Sequence, residues 1–149
     1  AHPPTNRVWR AGFGIADLIY KNEKNTNLLD IKPNWNPPII LTSHTINQDT
    51  ENFINSIENS IVKRASSSLK FCEIAEANAN IYPRFSIISK WDIAAGHALL
   101  NEVGGCLVSL NGKEFNYMNS SYKTVKFIAS RNKNWRDKIK VKKGKLFYE

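Results

Sequence analysis

Three side chains in this 149-residue sequence have the type and setting that phosphate chemistry uses: Asp92, Lys70 and Arg84. Asp92 precedes a run of small residues, Ala94, Ala95 and Gly96, that leads into an apolar helix closing on Gly104-Gly105. An aspartate in that position suits an N-cap, because its oxygens accept the unpaired amides of the first turn. The same helix end is electropositive and welcomes phosphate. A carboxylate that also held a divalent metal would make it a phosphate-processing corner. The small residues keep the first turn thin, so a ligand or another backbone can approach closely. Lys70 falls in the first turn of a second helix, where its charge suits a phosphate or a ribose-phosphate edge; Ser67 there suits a cap. Arg84 follows Tyr82-Pro83 at a strand end, where a fork-shaped cation grips a phosphate, stacks on a base, or forms a surface ion pair.

The elements that must position these residues follow from periodicity. Arg7–Phe13 and Ile15–Tyr20 read as two strands of a hairpin around Phe13-Gly14, and residues 21–38 as a polar loop. Ile39–Thr42 is a short buried strand. Asp49 to about Val62 places Phe53, Ile54, Ile57 and Ile61 at helical spacing. A second helix runs from Ser67 to about Ala77, with Leu69, Cys72 and Ala75, or Leu69, Ile74 and Ala77, inward. Asn80–Pro83 is a strand, and Asp92–Val103 a third helix with Ala95, Leu99, Leu100 and Val103 inward. Cys106–Leu110 and a strand near Phe115 flank a turn at Asn111-Gly112, and Val125–Ala129 is the last strand. Strands alternating with helices give an α/β layered fold.

Composition bounds the rest. A chain of this length with 42% hydrophobic residues fits one folded domain, and no apolar run approaches the twenty residues of a membrane span. The net charge of +8 is concentrated: within residues 131–145, Arg131, Lys133, Arg136, Lys138, Lys140, Lys142, Lys143 and Lys145 face only Asp137. Residues 1–130 therefore read as the α/β portion and 131–149 as a basic C-terminal tail, a solvated terminus or a contact for RNA or an anionic membrane. Cys72 and Cys106 read as two buried thiols, and His97 as a packed or solvated helix residue.

Two linked motifs carry a family resemblance. Trp91-Asp92-Ile93-Ala94-Ala95-Gly96, with Glu102-Val103-Gly104-Gly105 beyond it, resembles the WDxAAG…EAGG signature of the lithium-sensitive, magnesium-dependent phosphatases that include inositol monophosphatase. Upstream, the run from Ser67-Ser68-Leu69-Lys70-Phe71-Cys72 to Ile81-Tyr82-Pro83-Arg84 is similar to the SSLKFCxxAEGxAxxYPR block of the CysQ-type 3'(2'),5'-bisphosphate nucleotidases. The resemblance implies the C-terminal half of the inositol monophosphatase-like (sugar phosphatase) fold. It implies a Mg2+-dependent phosphomonoesterase that takes the 3'-phosphate from adenosine 3',5'-bisphosphate, leaving AMP and phosphate, in sulfur metabolism. Such an enzyme is expected in the cytoplasm, or peripherally at the inner face of the membrane. Asp92 becomes a metal ligand that also positions phosphate, and Lys70, Arg84 and Ser67 contact the substrate. Thr42-Ser43-His44 resembles a Ser-His pair that contacts the nucleotide, which adds His44 as a candidate beside its plainer reading as a loop residue. Glu76 and Glu102 match acidic positions of the family without a catalytic role.

The family's glutamate pair and DPxDGT segment have no counterpart here, and the five aspartates are scattered. The chain therefore reads as the C-terminal half of a two-part phosphatase, whether a fragment, a trimmed form or a split gene product. Alone it is expected to be inactive, with an N-terminal half as its partner. The other readings are an inositol or sugar monophosphatase, and a degenerate nucleotide- or RNA-binding half-domain. Two family glycines are replaced, by Ser66 and Ala77, and Ser86-Ile87-Ile88 stands where Gly-Pro-Thr is usual. If either glycine serves a positive φ, its replacement costs about 1 kcal/mol or more.

Overall fold

Neighbouring strand residues face opposite sides of a sheet, and the apolar strand residues here sort by that rule into two cores. A computed structural model describes residues 1–20, 25–110, 112–118, 120–140 and 142. Its main sheet has five strands: β4 (Ile39–Thr42), β5 (Ile61–Arg64), β6 (Ile81–Arg84), β7 (Cys106–Ser109) and β8 (Phe127–Ser130). They lie in the order β5-β4-β6-β8-β7, with β4 parallel to β5 and β6, and β8 antiparallel to β6 and β7. A smaller antiparallel sheet holds β1 (Arg7–Gly12), β2 (Ile15–Tyr20) and the two-residue β3 (Thr26–Asn27).

Leu41, Tyr82, Leu107, Phe127 and Ala129 point to one face of the main sheet. They meet Phe71 and Ile74 of α2 (Leu69–Ala75), Leu99 and Leu100 of α3 (Ala94–Glu102), and Ala16, Leu18 and Leu28 from the small sheet and the turn after it. Ile40, Ile81, Cys106 and Ile128 point to the other face, where Phe53, Ile54 and Ile57 from α1 (Gln48–Ser56) and its end pack with Phe85 and Trp135. The molecule is layered: small sheet, α2 with α3, main sheet, α1. This is the α/β layering expected from the alternation of elements.

Several boundaries differ from the sequence expectation. The helix predicted to reach Val62 stops at Ser56; Asn59 takes φ 53°, and Ile61-Val62 turn back as β5 beside Ile39-Ile40. Beta-branched residues fit that pleated edge better than a helix end. The second helix begins at Leu69 rather than Ser67, and its buried face is Lys70, Phe71, Ile74 and Ala75. In α3, Gly96, His97, Leu99 and Leu100 are buried while Ala95 is exposed. The expected strand near Phe115 is a single bridge from Glu114 to Val108, and Asn111 of the predicted turn lies outside the described residues. The polar loop contains β3 and the fully buried Leu28, single residues without a period to betray them.

The predicted free tail is partly built into the body. Trp135 is 4% exposed in the α1 core, and the amides of Lys142 and Glu58 donate to the carbonyls of Ser56 and Lys140. Arg131, 5% exposed, donates to the carbonyls of Leu28 and Ile31 and ties that turn to the end of β8. Lys133, Arg136, Lys138, Lys140 and Lys142 remain exposed; Lys143 and Lys145 lie outside the described residues. Among the described residues no helix is long and apolar enough to cross a membrane.

Candidate functional site

Alternation along β6 puts Tyr82 and Arg84 on one face, and α2 and α3 converge above them. The result is a cavity of about 500 Å³ whose lining includes Ser43, Ser67, Lys70, Tyr82, Arg84 and Asp92. Four of the five sequence candidates, Asp92, Lys70, Arg84 and Ser67, thus share one cavity. His44 is exposed and is not part of the lining, while its neighbour Ser43 is.

Lys70 is 2% exposed, an unusual burial for a lysine. Its Nζ donates to the Ala65 carbonyl at 3.0 Å and lies 4.9 Å from the Tyr82 ring centroid. A ring face and a carbonyl offset part of the desolvation, but neither is a counter-charge. Burial, and after it repulsion from Arg84, pushes the Lys70 ammonium down to about 8. The sequence placed this charge in the first turn of the helix, open to a phosphate; the structure turns it inward against Ala65 and Tyr82. Arg84 donates from Nη1 to Ser43 Oγ at 2.9 Å, and its buried Nε has no partner among the described residues. Burial raises the Tyr82 hydroxyl, which stays protonated.

Asp92 ends a single 3-10 turn, Lys90–Asp92, and Oδ2 accepts the Ser89 amide at 3.1 Å. It is therefore not the N-cap of α3, a position held by Ile93. The carboxylate closes the preceding turn, which leaves it exposed at the cavity wall. Ser67 does not cap α2 either: Ser68 occupies that position, and Ser67 takes φ 49° at the rim. Gly96 admits Phe71, so the thin first turn of α3 seats another side chain as well as opening the cavity.

Among the described residues, Asp92 is the one carboxylate lining the cavity, and no three His, Cys, Asp or Glu side chains cluster as a metal cage. Its oxygens suit Mg2+ as one ligand; the remaining oxygens of an octahedral shell must come from substrate, water or other carboxylates. Elsewhere, Glu76 is committed to Arg7 and to Trp9 Nε1, the latter at 2.7 Å, and Glu102 accepts the Gly14 amide at 3.0 Å. Both glutamates fasten the hairpin to α2 and α3. His97 is buried, with Nδ1 3.0 Å from the Tyr117 hydroxyl, and desolvation holds it below the usual histidine range against the pull of Glu114. Cys72 and Cys106 are free, and burial pushes each thiol up to about 11. Of the lining residues, Tyr82 has no role assigned from the sequence, although its i, i+2 spacing from Arg84 is a usable signal. Ser43 is legible only as the first member of the Ser-His pair, of which His44 is the candidate; the structure brings the serine to the cavity and leaves the histidine outside its lining.

The inositol monophosphatase family model matches residues 36–140, and the chain belongs to that family. Within it, the chain is 36% identical over 116 residues to the 3'(2'),5'-bisphosphate nucleotidase CysQ of Buchnera aphidicola, covering 76% of this chain and 43% of that protein. It is 39% identical over 112 residues to the CysQ of Salmonella typhimurium, covering 74% and 41%. The fold matches the crystal structure of CysQ from Bacteroides thetaiotaomicron, a bacterial member of the inositol monophosphatase family, with a TM-score of 0.75 at 21% identity, over 86% of this chain and 55% of that one. The chain spans less than half the length of the two curated relatives.

Proposed function

We propose that this chain supplies the substrate-gripping part of a phosphomonoesterase that removes the 3'-phosphate of adenosine 3',5'-bisphosphate, yielding AMP and phosphate. The observation that carries the reading is the convergence of Lys70 and Arg84 in one cavity with, among the described residues, a single acidic one, Asp92, on its wall. Two cations without matching carboxylates favour a polyanionic guest. The names of the curated relatives favour a nucleoside bisphosphate as that guest.

Lys70 and the unpartnered Nε of Arg84 would meet phosphate oxygens, and Ser67 would offer its hydroxyl from the rim. His44, outside the cavity lining, would reach the substrate only beyond the ring of residues around Ser43. Asp92 would hold Mg2+ together with substrate oxygens and carboxylates outside this chain's cavity. The ion, when bound, neutralises phosphoryl charge and activates water. A complementary polypeptide region would provide those carboxylates, so this chain alone is expected to be inactive. The exposed Val8, Phe13 and Ile15 of the hairpin, and Ile61 and Val62 on the edge strand β5, offer that region apolar surface.

The test is Mg2+-dependent phosphate release from adenosine 3',5'-bisphosphate and, in parallel, from inositol monophosphate. Both are measured for this chain alone and for it combined with the complementary region of a relative. Activity only in combination, with preference for the bisphosphate, is expected. Preference for inositol monophosphate would replace the substrate assignment, and salt-sensitive RNA binding without phosphate release would replace the enzymatic reading.

A further inference from the structure

We infer that Trp91 and Tyr122 form a stacking shelf for the base of a nucleotide whose phosphate lies in the Lys70–Arg84 cavity; this rests on the phosphate-binding reading above. The two rings are parallel within 9°, with centroids 5.8 Å apart, yet Trp91 is 69% and Tyr122 58% exposed. Large aromatic side chains contribute to stability mainly when buried. A stacked pair left in water gives up most of that contribution, while a flat π-face remains open to a guest.

Backbone bonds hold the pair in place. The Lys90 amide donates to the Tyr122 carbonyl at 2.8 Å, the Thr124 amide to the Ile88 carbonyl at 2.8 Å, and Ser89 bridges Lys123 as an antiparallel pair. Two loops are thus laced together, with one ring carried by each. The Lys123 ammonium lies 5.0 Å from the Tyr122 centroid and enriches the far end of the stack with positive charge. Trp91 is the end that lines the cavity, and it immediately precedes Asp92. A guest that touches both would carry an anionic group and a planar ring within one sugar's reach of each other, as a nucleotide does. Aromatic faces accept any base, so the shelf selects for a base over none and not among bases.

The experiment is calorimetric titration of the intact protein, in EDTA so that nothing turns over. It uses adenosine 5'-monophosphate and ribose 5-phosphate, which share ribose and phosphate and differ by the base. Wild type is expected to bind the nucleotide about tenfold more tightly than the sugar phosphate. Trp91→Ala should erase that difference by weakening the nucleotide alone, Trp91→Phe should retain most of it, and Tyr122→Ala should reduce it. Trp91 is largely exposed, so these variants are expected to fold; their melting temperatures check this. An unchanged nucleotide-to-sugar ratio in Trp91→Ala, or an equal loss for both probes, overturns the shelf while leaving the phosphate cavity standing. Binding of neither probe by wild type overturns both readings.

Discussion

Gly96 of α3 lies directly against Phe71 of α2: a Cβ built on the glycine would sit 2.4 Å from Cγ of the ring. The ring is itself fixed, 2% exposed and edge-on to Tyr82 at 5.5 Å, beneath the cavity. No route of retreat is open to it without disturbing the residue that seats Lys70. Gly96→Ala is therefore expected to cost about 1–3 kcal/mol by overpacking, and to weaken phosphate binding with it. Urea denaturation and phosphate titration of the same variant would measure both; an unperturbed melt would show that the helices separate freely.

The two helices that frame the cavity end in the same way with different residues. In α3 the Gly105 amide reaches the Leu100 carbonyl and the Gly104 amide that of Asn101, with Gly104 at φ 75°. In α2 the Asn78 amide reaches Glu73 and the Ala77 amide reaches Ile74, with Ala77 at φ 61°. Both are Schellman endings, which call for a left-handed residue at the first position past the cap. Alanine there bears a steric cost that glycine does not. Ala77→Gly is expected to stabilise the protein by about 1 kcal/mol, and Gly104→Ala to destabilise it similarly. Paired thermal melts decide the matter: a destabilised Ala77→Gly would show that the left-handed site is held by something other than these two bonds.

What could be read from the sequence was what repeats or punctuates locally. The hairpin, β4, β6 and α3 announce themselves through alternation, helical spacing and the glycine pair. The Asp92 and Lys70–Arg84 motifs mark the cavity although its residues come from four elements. What could not be read depends on partners distant in the chain. Ile61 satisfies a helical period with Ile57 yet pairs with Ile39 in the sheet. Arg131 counts as a surface charge until the carbonyls of Leu28 and Ile31 are brought to it. The same holds for Trp91 and Tyr122, which lie 31 positions apart in the chain and meet only because two loops are laced by backbone bonds.

Lys70 should make both stability and binding depend on pH above neutrality. Its folded value of about 8 lies below the 10.5 of an ordinary lysine, which applies in the unfolded chain. Between those values the unfolded chain binds more protons than the folded one, so this residue's contribution to stability rises with pH across that window. Below about 8 the charge must be carried in a buried site, and the penalty is fully present. Phosphate affinity has the opposite slope, since the ammonium that attracts the anion is lost as pH rises through about 8. Lys70→Met is expected to flatten both profiles and to weaken phosphate binding roughly tenfold, the scale of one charge-assisted hydrogen bond. Chemical denaturation and phosphate titration across pH 7 to about 10 would check it; identical slopes in wild type and variant would remove Lys70 from the account.

Asp92 can be separated from its structural duty by a substitution that keeps its shape. The carboxylate accepts the Ser89 amide, and the carbonyl oxygen of an asparagine can do the same. Asp92→Asn is thus expected to melt within about 1 kcal/mol of wild type, the net worth of a typical hydrogen bond. What the amide does not supply is the negative charge that a divalent ion requires. With this chain combined with the complementary region proposed above, turnover of adenosine 3',5'-bisphosphate should fall by about a hundredfold or more, the scale of removing one preorganised electrostatic contact. Nucleotide binding in EDTA should meanwhile persist or tighten, because the carboxylate on the cavity wall has been neutralised. That opposition between rate and affinity distinguishes a metal ligand from a residue that merely shapes the turn. Near-normal turnover with intact Mg2+ dependence would move the ion elsewhere and leave Asp92 as the closing residue of the Lys90–Asp92 turn.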